Sequence, residues 1–405
     1  VGLERVLEQG ADLAALNRDL ESLGVLAVLG DEGGPGKSLN AAFEADWQRL
    51  GDLQPALVAL VPLAEGASFD TAAAAAVLDV SEAEAGARLA RLASASLLSR
   101  ASGGPVPPDG EGPGLSPGEG RWMLLPLLRA FAAGKGAVDQ AAWARLAAHY
   151  ARVLRSADAL YRQGGEGVRR GLALFDQEWP HIQVGQAWAA AHWPANREAA
   201  RLCSDYPGAG VYCLGLRLGP RKRIEWLEAA ARAAERLKNR VVQGHHVGNL
   251  GLAYAALGDT GRAIPYYEQA LAISREVLAT FPPSSPQWTV GRRAEGNSLG
   301  NLGNAHTSLG NTRQAMAYYE EALAVSREIL ATAAPGSAEW QAARRGEASR
   351  LGNLGSGYAA LGELQRAIEV HEQALALARE LQDRQGEAIH LGNLGSAYWS
   401  LGDAG

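Results

Sequence analysis

The chain has 405 residues, 47% of them apolar, enough for two to four domains with ordinary cores. Its 38 basic and 44 acidic side chains leave a formal charge of −6, so it lacks the bulk positive field on which a mainly electrostatic binder of nucleic acid or anionic membrane depends. Two cysteines, Cys203 and Cys213, exclude a disulfide scaffold and a four-cysteine zinc site. The longest apolar run, 53–64, is interrupted by Pro55 and Pro62 and falls short of the roughly 20 residues that span a bilayer. A reduced, cytoplasmic setting without membrane contact is expected.

The chain opens on Val1 and breaks off inside a repeat, as a fragment of a longer protein does, so residues 1–37 read as a linker or, as the family resemblance given below implies, the end of a nucleotide-binding core. Asp31-Glu32-Gly33-Gly34-Pro35-Gly36-Lys37-Ser38 is to be compared with the phosphate-binding loop Gly-x-x-x-x-Gly-Lys-Ser/Thr, for which 24–29 would be the preceding strand. That loop needs a backbone nest for phosphates, a lysine for charge and a hydroxyl for magnesium. Lys37 and Ser38 supply the last two, but Asp31 replaces the first glycine and puts negative charge where phosphates would lie. Neither further strands nor an acidic magnesium ligand follows. A glycine-rich linker is the better reading, with ATP or ADP and magnesium assigned to the full-length parent and no cofactor to this chain.

From Ser38 the apolar spacing predicts an amphipathic helix through Trp47, a second over 53–63, and two more over 69–80 and 82–93. Ser96-Leu97-Leu98-Ser99-Arg100, a Gly/Pro/Ser-rich stretch, and Arg121-Trp122-Met123-Leu124-Leu125 then read as two strands joined by a long loop. Helices followed by a two-stranded wing make a winged-helix order for residues 38–134. Such a domain can bind DNA through its recognition helix and wing, but here Glu82 and Glu84 accompany Arg88 and Arg91, and the wing carries Asp109, Glu111 and Glu119. DNA binding is therefore not expected.

The same segment resembles the winged helix of signal-transduction ATPases with numerous domains (STAND proteins), the bacterial relatives of plant and animal NLR receptors. There a Ser-Leu-x-x-x-Phe-x-x-x-Trp helix follows the nucleotide-binding (NB-ARC-like) core, as Ser38, Leu39, Phe43 and Trp47 do here, and a Leu-His-Pro-Leu-Leu-Arg segment follows the wing. Leu124-Leu125-Pro126-Leu127-Leu128-Arg129 matches that segment with Leu125 in place of the nucleotide-sensing histidine. The resemblance implies a helical connector next, and 135–204 indeed carries helical stripes, with Trp143, Leu146, Tyr150, Leu154 and Leu160 on one and Phe175, Trp179, Ile182, Trp188 and Trp193 on another.

The C-terminal half repeats. Gly-Asn-Leu-Gly begins at Gly248, Gly300, Gly352 and Gly392, in steps of 52, 52 and 40 residues. In the first unit Leu250, Gly251, Tyr254, Gly258, Ala263, Tyr267, Ala270 and Leu271 recur at helical spacing on either side of a Gly-Asp turn, a helix-turn-helix unit. These residues resemble the tetratricopeptide repeat, in the longer-helix type shared by kinesin light chains and the Leu-Gly-Asn adaptors. Units start near 241, 293, 345 and 385, the last incomplete, and Ile224, Leu227 and Ala230 mark a degenerate unit over 205–240 whose first helix is obscured by Pro207, Gly208 and Gly210. The additional residues of the longer units, around Trp288 and Trp340, are expected to lengthen the flanking helices and add an exposed corner.

Asn249, Asn301, Asn353 and Asn393 sit on the first helix of each unit, and the resemblance places successive first helices along the concave face of a right-handed solenoid. Their amides can exchange hydrogen bonds with an extended peptide backbone; the competing reading is that each bonds to a neighbouring repeat and stabilises stacking. Leu252, Asn304, Ser356 and Ser396, then Ala255, Thr307, Ala359 and Trp399, vary one turn on and would tune specificity. The eight histidines include the adjacent His245 and His246, His306 at a tyrosine position and His371 at an aromatic one, with no zinc-site spacing among them. No catalytic constellation was found.

The expected fold is all-α with a small β-wing: winged helix, helical connector, then a tetratricopeptide solenoid. The expected function is the non-enzymatic sensor half of a bacterial STAND-type signalling protein serving, for example, phage defence or transcriptional control. Its repeats would capture a protein or peptide, and the winged helix would relay that event to a nucleotide switch outside this chain, with self-association on activation. A tetratricopeptide adaptor without a switch is the alternative, and ATP binding at Lys37 the third reading.

Overall fold

A computed structural model describes residues 35–101, 120–283 and 285–402, with the backbone alone for 35–42. Two compact units divide the chain, 1–216 and 217–405. Segment 24–34, most of the loop between the two expected strands (with Asp109, Glu111 and Glu119) and residues 403–405 lie outside the described residues.

In the first unit, α1 (Pro35–Leu50) is followed by a single 3₁₀ turn (Gly51–Leu53) and the short α2 (Gln54–Ala59). The expected helix over 53–63 is thus cut short. Pro62 disfavours helical backbone at the residue before it, and the chain turns there so that Leu60, Val61 and Leu63 become core. Helix α3 (Thr71–Leu78) begins later than the spacing suggests, because the Asp70 carboxylate accepts from the Ala73 amide at 2.7 Å and sets the N-cap. Phe69 is extended instead, exchanging two 2.8 Å backbone hydrogen bonds with Trp122. Ser81 caps α4 (Glu82–Ser94), its hydroxyl accepting from the Glu84 amide.

Two strands follow, β1 (Leu98–Arg100) and β2 (Trp122–Leu124), paired antiparallel with Leu98 opposite Leu124. Pro126 opens α5 (Pro126–Ala133) at the first helical position, where its missing N–H costs nothing. Then come two long helices, α6 (Gln140–Tyr161) and α7 (Glu166–His192), packed along each other, and α8 (Arg197–Ala209). The chain breaks at Gly210, where the first helix of the degenerate unit was expected, and α9 (Val211–Arg217) starts afresh. Its first amides, of Tyr212 and Cys213, donate to the buried Asp158 carboxylate of α6 at 2.8 and 3.1 Å.

Polar side chains fasten the 60–70 segment to the rest of this unit. The neutral His181 ring accepts the Ala64 amide at Nδ1 (3.0 Å), so its proton sits on Nε2, which donates to the Ser68 carbonyl (3.1 Å). Burial holds the His181 pKa down at about 4, and the ring stacks on Tyr150 at 4.8 Å. Beside it Arg121 pairs with the buried Glu178 at 2.6 Å, and burial raises the pKa of that carboxyl despite the guanidinium.

The second unit is a succession of helices, each packed on the next: α10 (Pro220–Arg236), α11 (Arg240–Ala256), α12 (Thr260–Thr280), α13 (Pro286–Ser308), α14 (Thr312–Thr332), α15 (Ala338–Ala360), α16 (Leu364–Glu380) and α17 (Arg384–Ser400). Helices α11, α13, α15 and α17 are the first, or A, helices; α10, α12, α14 and α16 are the second, or B, helices. Helices α12 and α14 have 21 residues against 17 in α16, and α13 and α15 have 23 against 17 in α17. Thus the insertions around Trp288 and Trp340 mainly lengthen helices. Ile224, Leu227 and Ala230 are buried on α10, in register with the B helices that follow.

Glycine within Gly-Asn-Leu-Gly has a direct steric cause. A Cβ at Gly303 would stand 2.4 Å from the Tyr319 ring, at Gly251 2.5 Å from Tyr267, and at Gly355 2.7 Å from His371. The aromatic of each B helix rests on the bare backbone of its A helix. The Gly-Asp-type turns close through Gly258, Gly310 and Gly362, all at φ near +78°, a region open to glycine at little cost.

Candidate peptide-binding groove

Asn249, Asn301, Asn353 and Asn393 occupy one register position of α11, α13, α15 and α17, each half-exposed beside a buried leucine: Leu250, Leu302, Leu354 or Leu394. Asn353 Nδ2 donates to Asn304 Oδ1 of the preceding repeat at 3.1 Å. The Tyr319 hydroxyl donates to the same oxygen at 2.7 Å, and Thr307 Oγ1 lies 3.1 Å from that hydroxyl. Four residues of two repeats thus form one polar cluster, in which Asn353 bonds a neighbouring side chain. Among the described residues Asn249, Asn301 and Asn393 keep side-chain amides without an intramolecular partner.

Trp399 on α17 is 74% exposed, and Ile389 and Leu391 of the same helix are also exposed. Lys37 and Ser38 lie in the first turn of α1. His306 stacks on Tyr318 at 5.4 Å, in the register where Tyr254 stacks on Tyr266 at 5.2 Å, and His371 is buried against His390. Among the described residues no group of three or more His, Cys, Asp or Glu could hold a metal ion, and no helix is long and apolar enough to cross a membrane.

A set of ion pairs that the sequence reading missed repeats along the unit. Arg275 of α12 donates to Glu295 of α13 at 3.1 Å, Arg327 of α14 to Glu347 of α15 at 3.0 Å, and Arg379 of α16 to Glu387 of α17 at 2.9 Å. Arg292 and Arg344 each grip the same glutamate from within its own helix, and each also reaches a B-helix glutamate, Glu328 or Glu380; Arg240 reaches Glu276 likewise. Glu295 and Glu347 are each only 6% exposed, and both oxygens of each have a guanidinium partner, as a buried carboxylate requires. The recurrence of Arg240, Arg292 and Arg344 at the 52-residue step was the available signal.

Arg350 departs from this pattern. It lies across α13, Nη2 donating to the Gly296 carbonyl at 3.2 Å, and burial lowers its pKa. It borders a small cleft of about 40 Å³ between α13 and α15 that is floored by Val325 and Ile329 of α14.

Models of the tetratricopeptide repeat match residues 247–284, 296–332 and 347–405. Among solved structures the chain is similar to BtubC from P. vanneervenii, at 21% identity over 64% of this chain and 85% of that one, with a TM-score of 0.41. It is also similar to the TPR-like repeats of a kinesin light chain from Podosopora anserina, at 18% identity over 58% of this chain and 98% of that one, with a TM-score of 0.38. A STAND protein with a tetratricopeptide sensor from Pyrococcus horikoshii matches at 14% identity over 98% of this chain and 62% of that one, with a TM-score of 0.30. No curated protein matches the chain. The helix pairs of the second unit are tetratricopeptide repeats, stacked as an all-α solenoid.

Proposed function

We propose that the second unit captures an extended segment of a protein or peptide along its A helices, with Asn249, Asn301, Asn353 and Asn393 exchanging hydrogen bonds with the ligand backbone. The observation that carries this reading is the set of half-exposed amides at Asn249, Asn301 and Asn393, which recur at one register position and have no intramolecular partner among the described residues. Asn304, Thr307 and Trp399, one and two turns on, would select among side chains. Tetratricopeptide repeats are typically scaffolds for protein–protein interaction, in keeping with this use.

In the parent protein this scaffold is the sensor half of a STAND-type regulator, with the nucleotide switch outside the chain. Supporting that assignment is the order of parts: helices, a two-stranded ribbon, the Leu124 to Arg129 segment in its family-like form, a long helical pair and then the repeats. A plain adaptor is the second reading, favoured by Leu125 at the nucleotide-sensing histidine position and Asp31 at the first glycine of the phosphate loop. The two differ in one experiment. A switch requires the full-length gene product to bind ATP and to change its oligomeric state when a groove peptide is added, measured by light scattering; an adaptor does neither.

A further inference from the structure

The cleft between α13 and α15 is open because its walls are made of small residues, Gly296, Ala343 and Gly346. Arg350 reaches over one wall in a conformation that Gly300 permits, since a Cβ there would stand 2.7 Å from Nη2. Its Nε is buried without a hydrogen-bond partner, and among the described residues no carboxylate lies within ion-pair distance of its guanidinium. Among the described residues the neutral Gly296 carbonyl alone is bonded to it. A guanidinium withdrawn from water is costly unless an anion compensates its charge; the neighbouring Arg292 and Arg344 are each paired with two carboxylates, although the Arg292 Nε is likewise buried without a hydrogen-bond partner.

Stacking does not account for the arginine. One repeat earlier, 52 residues back, its position is held by Ser298, and 40 residues on by His390. Arg293 stands at the same cleft; its position is held by Val241 one repeat earlier and by Arg345 one repeat later. Glu339 also lines the cleft, so the formal balance of the lining is one positive charge, which suits a single negative charge better than the double charge of a phosphate. Arg350 is one helical turn from Asn353, and Asn297 on the facing helix is one turn from Asn301, so a group entering the cleft stays continuous with a backbone held by the groove amides.

We infer that this cleft receives one carboxylate group of the captured peptide, bound by the Arg350 guanidinium with Arg293 adding attraction at the same opening. Val325 and Ile329 on the floor accept the aliphatic carbons that carry it. The inference rests on the groove reading above and names the chemistry of its ligand.

The test uses random dodecapeptides selected on the intact chain, in one library ending in free carboxylates and another ending in amides, each made with and without Asp and Glu. Selected peptides are expected to carry a carboxylate, and neutral versions of the same sequences to bind roughly tenfold more weakly. Loss on amidation identifies the chain terminus as the source; loss on replacing Asp or Glu identifies a side chain. R350M should remove the preference while sparing the weak binding of neutral peptides, and R350K should retain part of it. Wild-type binding that is indifferent to carboxylates overturns the inference without recourse to any variant, as does a full preference in folded R350M. Should neither library yield a binder, the groove reading itself fails, and the inference with it.

Discussion

Asn353 of one repeat donates to Asn304 of the repeat before it, 3.1 Å away, while Asn301, one repeat upstream of Asn353 in the same register, makes no such bond among the described residues. The recurring asparagine therefore makes a stacking bond at one junction, with one N–H and the oxygen of the Asn353 amide left over, and, among the described residues, no such bond at the others. Replacing Asn301 with Ala should leave thermal stability within about 0.5 kcal/mol of the parent, as for a surface change away from any structural feature. Asn353→Ala should cost about 1 kcal/mol, the net worth of one hydrogen bond. A double-mutant cycle between Asn304 and Asn353, read by urea unfolding, should return a coupling of about that size; zero coupling would show the bond to be incidental.

The buried glutamates should behave unlike surface ion pairs. Removing Arg344 strands the carboxylate of Glu347 with Arg327 as its remaining partner, so Arg344→Met is expected to cost about 2 kcal/mol. That figure lies below the 3 to 5 kcal/mol of a fully buried pair because the guanidinium is partly exposed. The double variant Arg344→Met with Glu347→Met should recover much of the loss. Denaturant melts of the three proteins check this, and equal stability of single and double variants would contradict it.

Contact between each A-helix glycine and its B-helix aromatic leaves no room for a methyl group. Gly303→Ala forces the Tyr319 ring away and disturbs its bonds with Asn304 and Thr307, for an expected loss of about 1 to 3 kcal/mol from overpacking. Gly395, whose Cβ would meet nothing within 4 Å, provides the control: Gly395→Ala should not destabilise, and thermal melts of both variants give the comparison.

His181 predicts a pH dependence. Its folded-state pKa of about 4 lies below the ordinary 6.5, so the unfolded chain binds a proton between those values and the folded chain does not. Stability should therefore fall as pH drops from about 6.5 toward 4, by up to about 3 kcal/mol from this residue. Protonation at Nδ1 also removes the acceptor of the Ala64 amide. In His181→Asn the slope of the unfolding free energy of the first unit over this window should flatten; an unchanged slope would assign the effect to other groups.

Much of the second unit was legible because steric demands leave a linear trace. Gly251, Gly303 and Gly355 must be small beneath an aromatic ring, so they recur, and the residues around Trp288 and Trp340 could only extend helices on either side. In the first unit the helix over 53–63 misled because its apolar spacing continues through a proline-imposed turn, and Phe69 was assigned to a helix because its pairing partner, Trp122, lies 53 positions away. The glutamates at 295 and 347 repeat as plainly as the asparagines do, yet charged residues on a helix read as a solvated face; only packing shows them inside. Arg350 carries no periodic signal at all, and its cleft exists only where three helices of two repeats meet.

The most direct test of the central claim is amide hydrogen exchange on the intact chain, with and without a peptide selected from the libraries. The account predicts added protection on α11, α13, α15 and α17, the helices that carry Asn249, Asn301, Asn353 and Asn393, with α12, α14 and α16 little changed. Protection confined to the B helices or to the first unit would contradict it.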